Sequence, residues 1–394
     1  MEIPEIRDLE GLLRHRITGK IIRVDATALS AFGENFGSIM AKVDIVHANG
    51  SKEETLHAVA KLIPTLEFIK EIFNTQVTFK NEINWYLEVV PALQEFQKEA
   101  GAKMLADYFA ELYGARINLS PNSDVVDSDA VILMENLKVE GYTNIDRMEG
   151  FDLETTRLIL DHLANFHATA IGLKLKRPEV FEKRVKPHLT EWIPPSTDNF
   201  KQMIADFLDG AGEASKHKSK FIKCLSKQWR RKINEPWATI THNDFWVNNV
   251  MVKHEGHHVT SVKFVDFQVV DYGSVASDLL FFLLGSVQLS VIKYHFQKLL
   301  KYYYERFVDT LRDLRVDTRD FTYQSFEKEL DSEGGRQVAH VAPMLFVIMG
   351  PKNAAPPPPP KEGEPMKFPP FKPPLNYYEK LGFIVDEAVR RKWI

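Results

Sequence analysis

The segment THNDFWVNNVMVKHEGHHVTSVKFVDFQ, residues 241–268, places a dense group of polar side chains at a predicted β-hairpin. The runs 250–253 and 259–265 are apolar enough for strands, and Gly256 lies in the turn between them. Asn249 precedes the first strand and Asp266 follows the second. Because these two ends of an antiparallel pair are neighbours, we expect an amide oxygen and a carboxylate to meet there.

These two side chains suit a hard cation such as Mg²⁺, which prefers oxygen ligands. Asp244 lies on the loop before Asn249, where its carboxylate could accept a proton from a hydroxyl group. A base, an amide ligand, a hairpin and a carboxylate ligand in this order are typical of the catalytic loop of kinase-type phosphoryl transfer. The alternative is that these residues only cap turns and satisfy loop backbone, but three of them at this spacing favour a function.

The N-terminal part is predicted to be rich in strands and then helical. Ser38 to Val46 and Glu54 to Ile63 form a predicted hairpin, with an Asn-Gly turn in the intervening HANGSK. A helix is predicted from about Val77 to Glu95, and residues 129–137 form a further buried strand.

A kinase site needs a lysine on a strand and a carboxylate that holds it. Lys61 lies in the apolar strand HAVAKLIP, where a charged side chain is costly unless it is paired. Glu82 lies on the following helix and is its predicted partner. Each residue has an ordinary alternative, since a strand lysine can extend to solvent and a helical glutamate is usually solvated.

Two further segments complete the predicted nucleotide site. Gly33 and Gly37, in AFGENFGS (31–38), permit close approach of backbone to phosphate. The segment MENL (134–137), which contains Glu135 and Leu137, would offer backbone groups to adenine at the junction of the lobes.

From about Gly150 the chain is mainly helical, with Asp152 as the predicted cap of the first helix and further helices through 196–232 and 275–315. We therefore predict an α+β, two-lobed protein-kinase-like fold. A small antiparallel-sheet lobe (1–137) precedes a larger, mainly helical lobe (138–394). The proline-rich segment 354–374 is predicted to be a surface loop before a final helix, or a polyproline ligand (356–374) for a partner domain.

Composition narrows the class of protein. The formal net charge is −4 and the basic residues are spread along the chain, which gives no nucleic-acid footprint. Cys224 is the single cysteine, so neither an intramolecular disulfide nor a cysteine zinc site is possible. The N-terminus lacks a signal-peptide pattern, and the most apolar run, 278–292, is too short and interrupted for a membrane span. We expect a cytoplasmic protein without membrane association.

The sequence resembles the ecdysteroid-kinase-like family, also called the CHK kinase-like family. The resemblance is carried by HNDFWVNNVM (242–251), VKFVDFQ (262–268) and DYGSVASDLLFFL (271–283), and extends to AKLIP (60–64) and LANFHATA (163–170). This family belongs to the choline kinase and aminoglycoside phosphotransferase group, which shares the protein-kinase-like fold.

The resemblance implies ATP-dependent transfer of the γ-phosphoryl group to a hydroxyl of a small molecule, with Mg²⁺ as cofactor. Asp244 would be the catalytic base, and His242 would brace its loop. The resemblance also assigns roles to other residues: Asn249 and Asp266 as Mg²⁺ ligands, Lys61 as a phosphate ligand oriented by Glu82, Asp278 as the link from the loop to the next helix, and His167 as a packing residue.

The acceptor implied by the family is an ecdysteroid alcohol or another hydroxylated steroid or xenobiotic. Trp246, Trp192 and Phe245 would suit the wall of an apolar acceptor site, although core packing explains them equally well. One alternative is an amino-alcohol kinase of the choline or aminoglycoside type. Another is a catalytically inactive binding protein, because Asn243 stands where the family usually has Gly. Asn tolerates unusual backbone angles better than most residues.

Overall fold

The computed structural model describes residues 3–29, 37–120, 122–191, 198–227, 231–350 and 372–394. Within them the chain forms a small lobe built on a sheet and a larger lobe that is mainly helical, so the predicted α+β, two-lobed fold is confirmed. The predicted boundary after residue 137 lies in the turn that follows the sheet, and as a domain boundary it stays a prediction.

The N-terminal sheet has five antiparallel strands. In spatial order they are β1 (Ile21–Ala28), β2 (Ile39–Asn49), β3 (Lys52–Leu62), β5 (Val131–Glu135) and β4 (Leu112–Arg116). The predicted hairpin is β2–β3. It turns at Gly50, whose positive φ of 63° suits a tight hairpin turn. The edge strands β1 and β4 were not predicted.

Helices cover both faces of this sheet. They are α1 (Leu9–Leu13) on one face, and α3 (Thr75–Asn84) and α4 (Val90–Ala100) on the other; α2 (Glu67–Phe73) precedes α3 and buries no residue. The single helix predicted from Val77 to Glu95 is wrong in detail, because a π-helical turn, Trp85–Val89, separates α3 from α4. Pro91 follows this turn and has no N–H to donate to the preceding turn, which accounts for the interruption.

The C-terminal lobe contains most of the helices. They are α5 (Leu153–Lys176), α6 (Pro178–Val180), α7 (Asp198–Phe207), α8 (Lys218–Ser226), α9 (Val275–Ser286), α10 (Leu289–Asp313), α11 (Tyr323–Ile348) and α12 (Leu375–Arg390). Asp152 caps α5 as predicted, since its carboxylate accepts the N–H of Thr155 at 2.8 Å. None of the described helices is both long and apolar enough to cross a membrane.

Two of the long predicted helices are divided in the structure. Residues 196–232 contain α7 and α8 with 3₁₀ turns between them, at Leu208–Gly210 and Gly212–His217; Gly212 has a φ of 58°, outside the helical region. Residues 275–315 contain α9 and α10. They are separated at Val287, which is extended because its neighbours pair with Phe151. The sequence analysis did not predict α11.

Short strands of the helical lobe surround residues 242–249, which we call the catalytic loop after its predicted role. They are β6 (Tyr142–Asn144), β7 (Ala238–Thr241), β8 (Val250–Glu255), β9 (His258–Phe264) and β10 (Asp271–Ser274). The predicted second hairpin is β8–β9, with Gly256 in its turn at a φ of 63°. β7 pairs with β10, and β6 pairs with β8.

The proline-rich segment lies almost entirely outside the described residues. Only its last residues, 372–374, are described; Pro374 directly precedes α12 and the predicted final helix is present. The polyproline partner predicted for 356–374 therefore stays a prediction.

Candidate active site

The catalytic loop that follows β7 is held by the first turn of α9. The carboxylate of Asp278 accepts the N–H of His242 at 2.7 Å and the N–H of Asn243 at 2.9 Å. The ring of His167 contacts the same carboxylate at 3.2 Å. Although burial opposes its charged form, these partners hold the pKa of Asp278 below its ordinary value. Asp278 therefore links the loop to α9, as the resemblance implies.

His242 connects the loop to the segment that carries Asp266. Its Nε2 lies 3.0 Å from the carbonyl oxygen of Val265, and its Nδ1 accepts the N–H of Asp244 at 3.3 Å. Burial lowers the pKa of His242, which favours the neutral ring that these two contacts need. His242 thus fixes where the backbone of Asp244 lies relative to the end of β9.

Asn249 and Asp244 are in direct contact. The Nδ2 group of Asn249 donates to the backbone carbonyl of Asp244 at 2.8 Å and to its carboxylate at 3.0 Å. Asn249 Oδ1 accepts no hydrogen bond from the described residues, so an oxygen remains for a ligand. Burial and the carboxylate of Asp266 raise the pKa of Asp244 to about 7, against the opposing effects of Asn249, Trp246 and Lys61.

The hairpin brings Asp266 to the same place. Val250 pairs with Phe264, and immediately beyond this pair the N–H of Val265 donates to the carbonyl of Asn249 at 3.0 Å. Asp266 follows with a φ of 69°, a left-handed conformation that is uncommon outside glycine. Asn249 and Asp266 therefore lie at one end of the hairpin; their role as cation ligands stays a prediction.

Lys61 on β3 joins the two lobes at the site. Its ammonium forms ion pairs with Glu82 on α3 and with Asp266, the latter at 2.7 Å. The side chains of Lys61 and Glu82 are only 3% and 1% exposed. Burial alone lowers the pKa of Lys61, but the two carboxylates outweigh it and raise that pKa above its ordinary value. Burial and Asp266 raise the pKa of Glu82, while Lys61 opposes them.

Phe267 packs beneath Asp266 at the centre of an aromatic cluster. Its ring stacks on Trp85 with centroids 4.3 Å apart and an interplanar angle of 7°, and it also contacts Phe109 and His242. The N–H of Phe267 donates to Glu82 at 3.3 Å. The π-helical turn thus carries a ring that fixes the Asp266 segment, a contact that the sequence analysis missed.

The predicted adenine segment is only partly free for a ligand. The N–H of Glu135 already donates to the carbonyl of Glu111 at 2.9 Å, and its carboxylate accepts the N–H of Glu111. The N–H of Leu137 has no hydrogen-bond partner among the described residues. The Leu137 N–H is therefore a backbone group of this segment that is free for a ligand among the described residues.

Most of the predicted phosphate loop, residues 31–38, lies outside the described residues. Gly33 lies outside the described residues. Gly37 is described, and a Cβ atom there would come within 3.0 Å of the ring of Phe73, so packing alone accounts for this glycine. Its role at phosphate stays a prediction.

The predicted acceptor wall needs one correction. Phe245 is fully buried against Phe264 and Phe282, so it is a core residue. Trp246 is partly buried, and Trp192 lies outside the described residues. Two cavities formed by described residues have volumes of about 240 and 230 Å³. The first is lined by residues of α7 and α8, and the second mainly by residues 147–150, 288–290 and Lys380. Neither is lined by Asp244.

The sequence analysis also missed an ion pair behind the catalytic loop, between Arg231 and Asp271. Asp271 stands in the apolar run VVDYGS, and an isolated carboxylate in such a run signals a buried partner. Arg231 has no comparable signal. No group of three or more His, Cys, Asp or Glu side chains in the described part of the chain is arranged to hold a metal ion.

Comparison with known proteins places this site in a family. Residues 32–316 match the model of the ecdysteroid kinase-like family. An uncharacterised kinase-like protein of Caenorhabditis elegans is 26% identical over 203 residues, which span 50% of this chain and 52% of that protein. The chain thus spans about half the length of the curated relative that it matches.

Solved structures give more distant similarities. A protein of Ralstonia eutropha assigned as an aminoglycoside phosphotransferase is 13% identical, with a TM-score of 0.45, over 96% of this chain and 97% of that chain. An amicoumacin kinase solved with AMP-PNP and Ca²⁺ is 11% identical, with a TM-score of 0.37, over 81% of each chain. Both TM-scores are low, so the assignment rests on the family model. Because that model covers most of the sequence, the chain belongs to the ecdysteroid kinase-like family.

Proposed function

We propose that this protein transfers the γ-phosphoryl group of ATP to a hydroxyl group of a small molecule, with Mg²⁺ bound at Asn249 and Asp266. The observation that carries this proposal is the ion-pair network of Lys61, buried between Glu82 and Asp266 beside Asp244. A buried lysine of this kind is costly. It suits a site where phosphate and a cation bind together.

The donor set fits Mg²⁺. This ion usually takes one or two protein ligands and completes its shell with water and substrate phosphates. Asn249 Oδ1 is free of protein donors among the described residues, and Asp266 is the nearby carboxylate. When bound, Mg²⁺ would neutralise charge on the phosphates and lower the energy of the developing transition state.

The residues of the chain would act as follows. Asp244 accepts the proton of the acceptor hydroxyl at its carboxylate, and it must be ionised to do so; the acceptor oxygen bonds to the γ-phosphorus as the bond to the bridging oxygen breaks and ADP leaves. The ammonium of Lys61 binds a phosphate oxygen, while Glu82 keeps it in place. Leu137 N–H and the Glu135 carbonyl would hold adenine, and the backbone at Gly33 and Gly37 would approach the phosphates.

We propose an apolar hydroxylated acceptor, such as an ecdysteroid or another hydroxylated steroid or xenobiotic. The family name supports this class, and the partly buried Trp246 lies next to Asp244 on the catalytic loop. A choline or aminoglycoside-type amino alcohol is the second enzyme candidate. A cytoplasmic location, supported by the single cysteine, is part of the same proposal.

The test compares acceptor classes. The protein is incubated with ATP, Mg²⁺ and sets of steroid, phenol and amino-alcohol acceptors, and products heavier by one phosphoryl group are sought by mass spectrometry. We expect products from the steroid or phenol sets. If only the amino alcohols give products, the proposed apolar acceptor is wrong and an amino alcohol takes its place. Nucleotide binding without product from any set would favour the inactive binding protein.

A further inference from the structure

Asn243 lies beside Asp244 in a conformation that few side chains adopt. Its φ is 62°, in the left-handed region, and its N–H is bound by Asp278 at 2.9 Å. Glycine adopts this conformation freely, and asparagine is among the side chains that tolerate it best. Glycine would therefore suit this backbone equally well. The backbone conformation does not explain why residue 243 carries a side chain.

The amide of Asn243 makes two contacts that glycine cannot make. Its Nδ2 group donates to the carbonyl of Val269 at 3.0 Å, and its Oδ1 accepts from Arg231 at 3.4 Å. Val269 follows directly after the Asp266–Gln268 segment. The side chain next to the proposed base is thus tied to the backbone next to the proposed cation ligand.

Arg231 extends this connection into the β7–β10 pair. It forms an ion pair with Asp271, and the two side chains are only 17% and 3% exposed. Asp271 is the register partner of Thr241, the last residue of β7, which leads into the catalytic loop. The links run from Asn243 to Arg231, from Arg231 to Asp271, and from Asp271 to Thr241, which the chain joins back to Asn243 through His242. We call this closed set of four residues the clasp: Thr241, Asn243, Arg231 and Asp271.

We propose that Asn243 is a positioning residue, whose amide holds the catalytic loop and the segment after Asp266 in one fixed arrangement through the clasp. The inference rests on the proposed function, in which Asp244 and Asp266 must keep their spacing for the reaction. Asn243 acts through its neighbours and need not touch the substrate. Its presence in place of Gly is then compatible with an active enzyme.

The test uses Asn243→Gly, which keeps the left-handed backbone and removes the amide. Asn74→Gly is the matched control, because Asn74 is exposed, has a φ of 46° and makes no side-chain capping hydrogen bond. We expect kcat to fall about tenfold in Asn243→Gly, since small misplacements of reacting groups are costly, while the KM for ATP stays unchanged. Asn74→Gly should keep the wild-type kcat.

A second measurement is independent of activity. Amide hydrogen exchange, followed by mass spectrometry, should be faster in Asn243→Gly than in wild type over the catalytic loop and residues 267–272, and unchanged there in Asn74→Gly. Wild-type exchange in Asn243→Gly overturns the clasp, as does a wild-type kcat in an active preparation. If the wild-type protein phosphorylates no acceptor, the proposed function fails, and the exchange data alone decide whether the clasp exists.

Discussion

The carboxylate of Asp244 has a pKa of about 7 because burial and the charge of Asp266 both disfavour its ionised form. A base with a pKa near neutrality is ionised often enough to act and basic enough to accept a proton. Hydrogen bonds from Asn249 and Trp246 lower the pKa of Asp244, so its value depends on how the loop positions these two neighbours.

We predict that kcat/KM for the acceptor falls as the pH is lowered below about 7, because protonated Asp244 cannot accept a proton. Mg²⁺ held by Asp266 would offset the charge of that carboxylate and lower the pKa of Asp244, so the midpoint of the profile should lie below about 7. The sign for stability is opposite to that of an ion-paired aspartate. The folded protein keeps a proton that the unfolded chain loses near its ordinary pKa, so this group's contribution to stability declines as the pH rises from about 4 to about 7. A pH–rate profile tests the first statement, and a flat profile down to about pH 5 would contradict it.

Replacing Asp244 separates activity from stability. Asp244→Asn should lower kcat by about a thousandfold, within the range expected for loss of a general base. Its free energy of unfolding at neutral pH should be equal to or above that of wild type, because a partly buried carboxylate that Asp266 repels is removed. Steady-state kinetics measure kcat, and urea unfolding measures the free energy of unfolding. A variant that keeps the wild-type kcat would exclude Asp244 as the base.

At the scale of elements, β3 and α3 are held together by a charge pair that is almost completely buried. We predict that Lys61→Met lowers the free energy of unfolding by about 3–5 kcal/mol, because Glu82 is left buried without its partner. Lys61→Met with Glu82→Gln should recover much of this loss, since the unpaired charge is gone.

Neither variant should bind Mg²⁺–ATP with wild-type affinity, because both lack the phosphate ligand. Urea unfolding and calorimetric titration with a non-hydrolysable ATP analogue provide the two measurements. Wild-type nucleotide affinity in the double variant would show that Lys61 serves packing alone.

The stack of Phe267 on Trp85 fastens the Asp266 segment to the π-helical turn. Phe267→Ala should cost about 3–5 kcal/mol, as expected for loss of a fully buried aromatic ring. Tyr294→Ala is the control, because Tyr294 on α10 is 71% exposed and should change stability by less than about 0.5 kcal/mol. Similar unfolding midpoints for the two variants would contradict the structural role of Phe267.

At the scale of the whole molecule, contacts are easiest to predict from the sequence at charged residues that lie among apolar neighbours. A lysine in an apolar strand and a carboxylate after a hairpin each demand a partner, and this led to Lys61–Glu82 and to the end of β8–β9. Arg231 was missed because the loop before β7 carries no periodic pattern, and its partner Asp271 on β10 was therefore not assigned a role. The π-helical turn was missed because one extra residue in a turn changes the helical spacing of apolar residues too little to be recognised.

The two lobes meet at the site through Lys61 and Asp266, so the assembled molecule, and neither lobe alone, contains the proposed transfer site. Transfer of the γ-phosphoryl group of ATP would depend on Asn249 and Asp266, the two residues proposed to hold Mg²⁺.

The most direct test follows that group. ATP carrying an isotopic label in its γ-phosphoryl group is incubated with Mg²⁺, the acceptor sets and either wild-type protein or Asp266→Asn, whose fold is checked by unfolding. We predict a phosphorylated acceptor that carries the label with wild-type protein, and almost none with Asp266→Asn. Full labelled product from Asp266→Asn, or none from wild-type protein that binds nucleotide, would contradict the account.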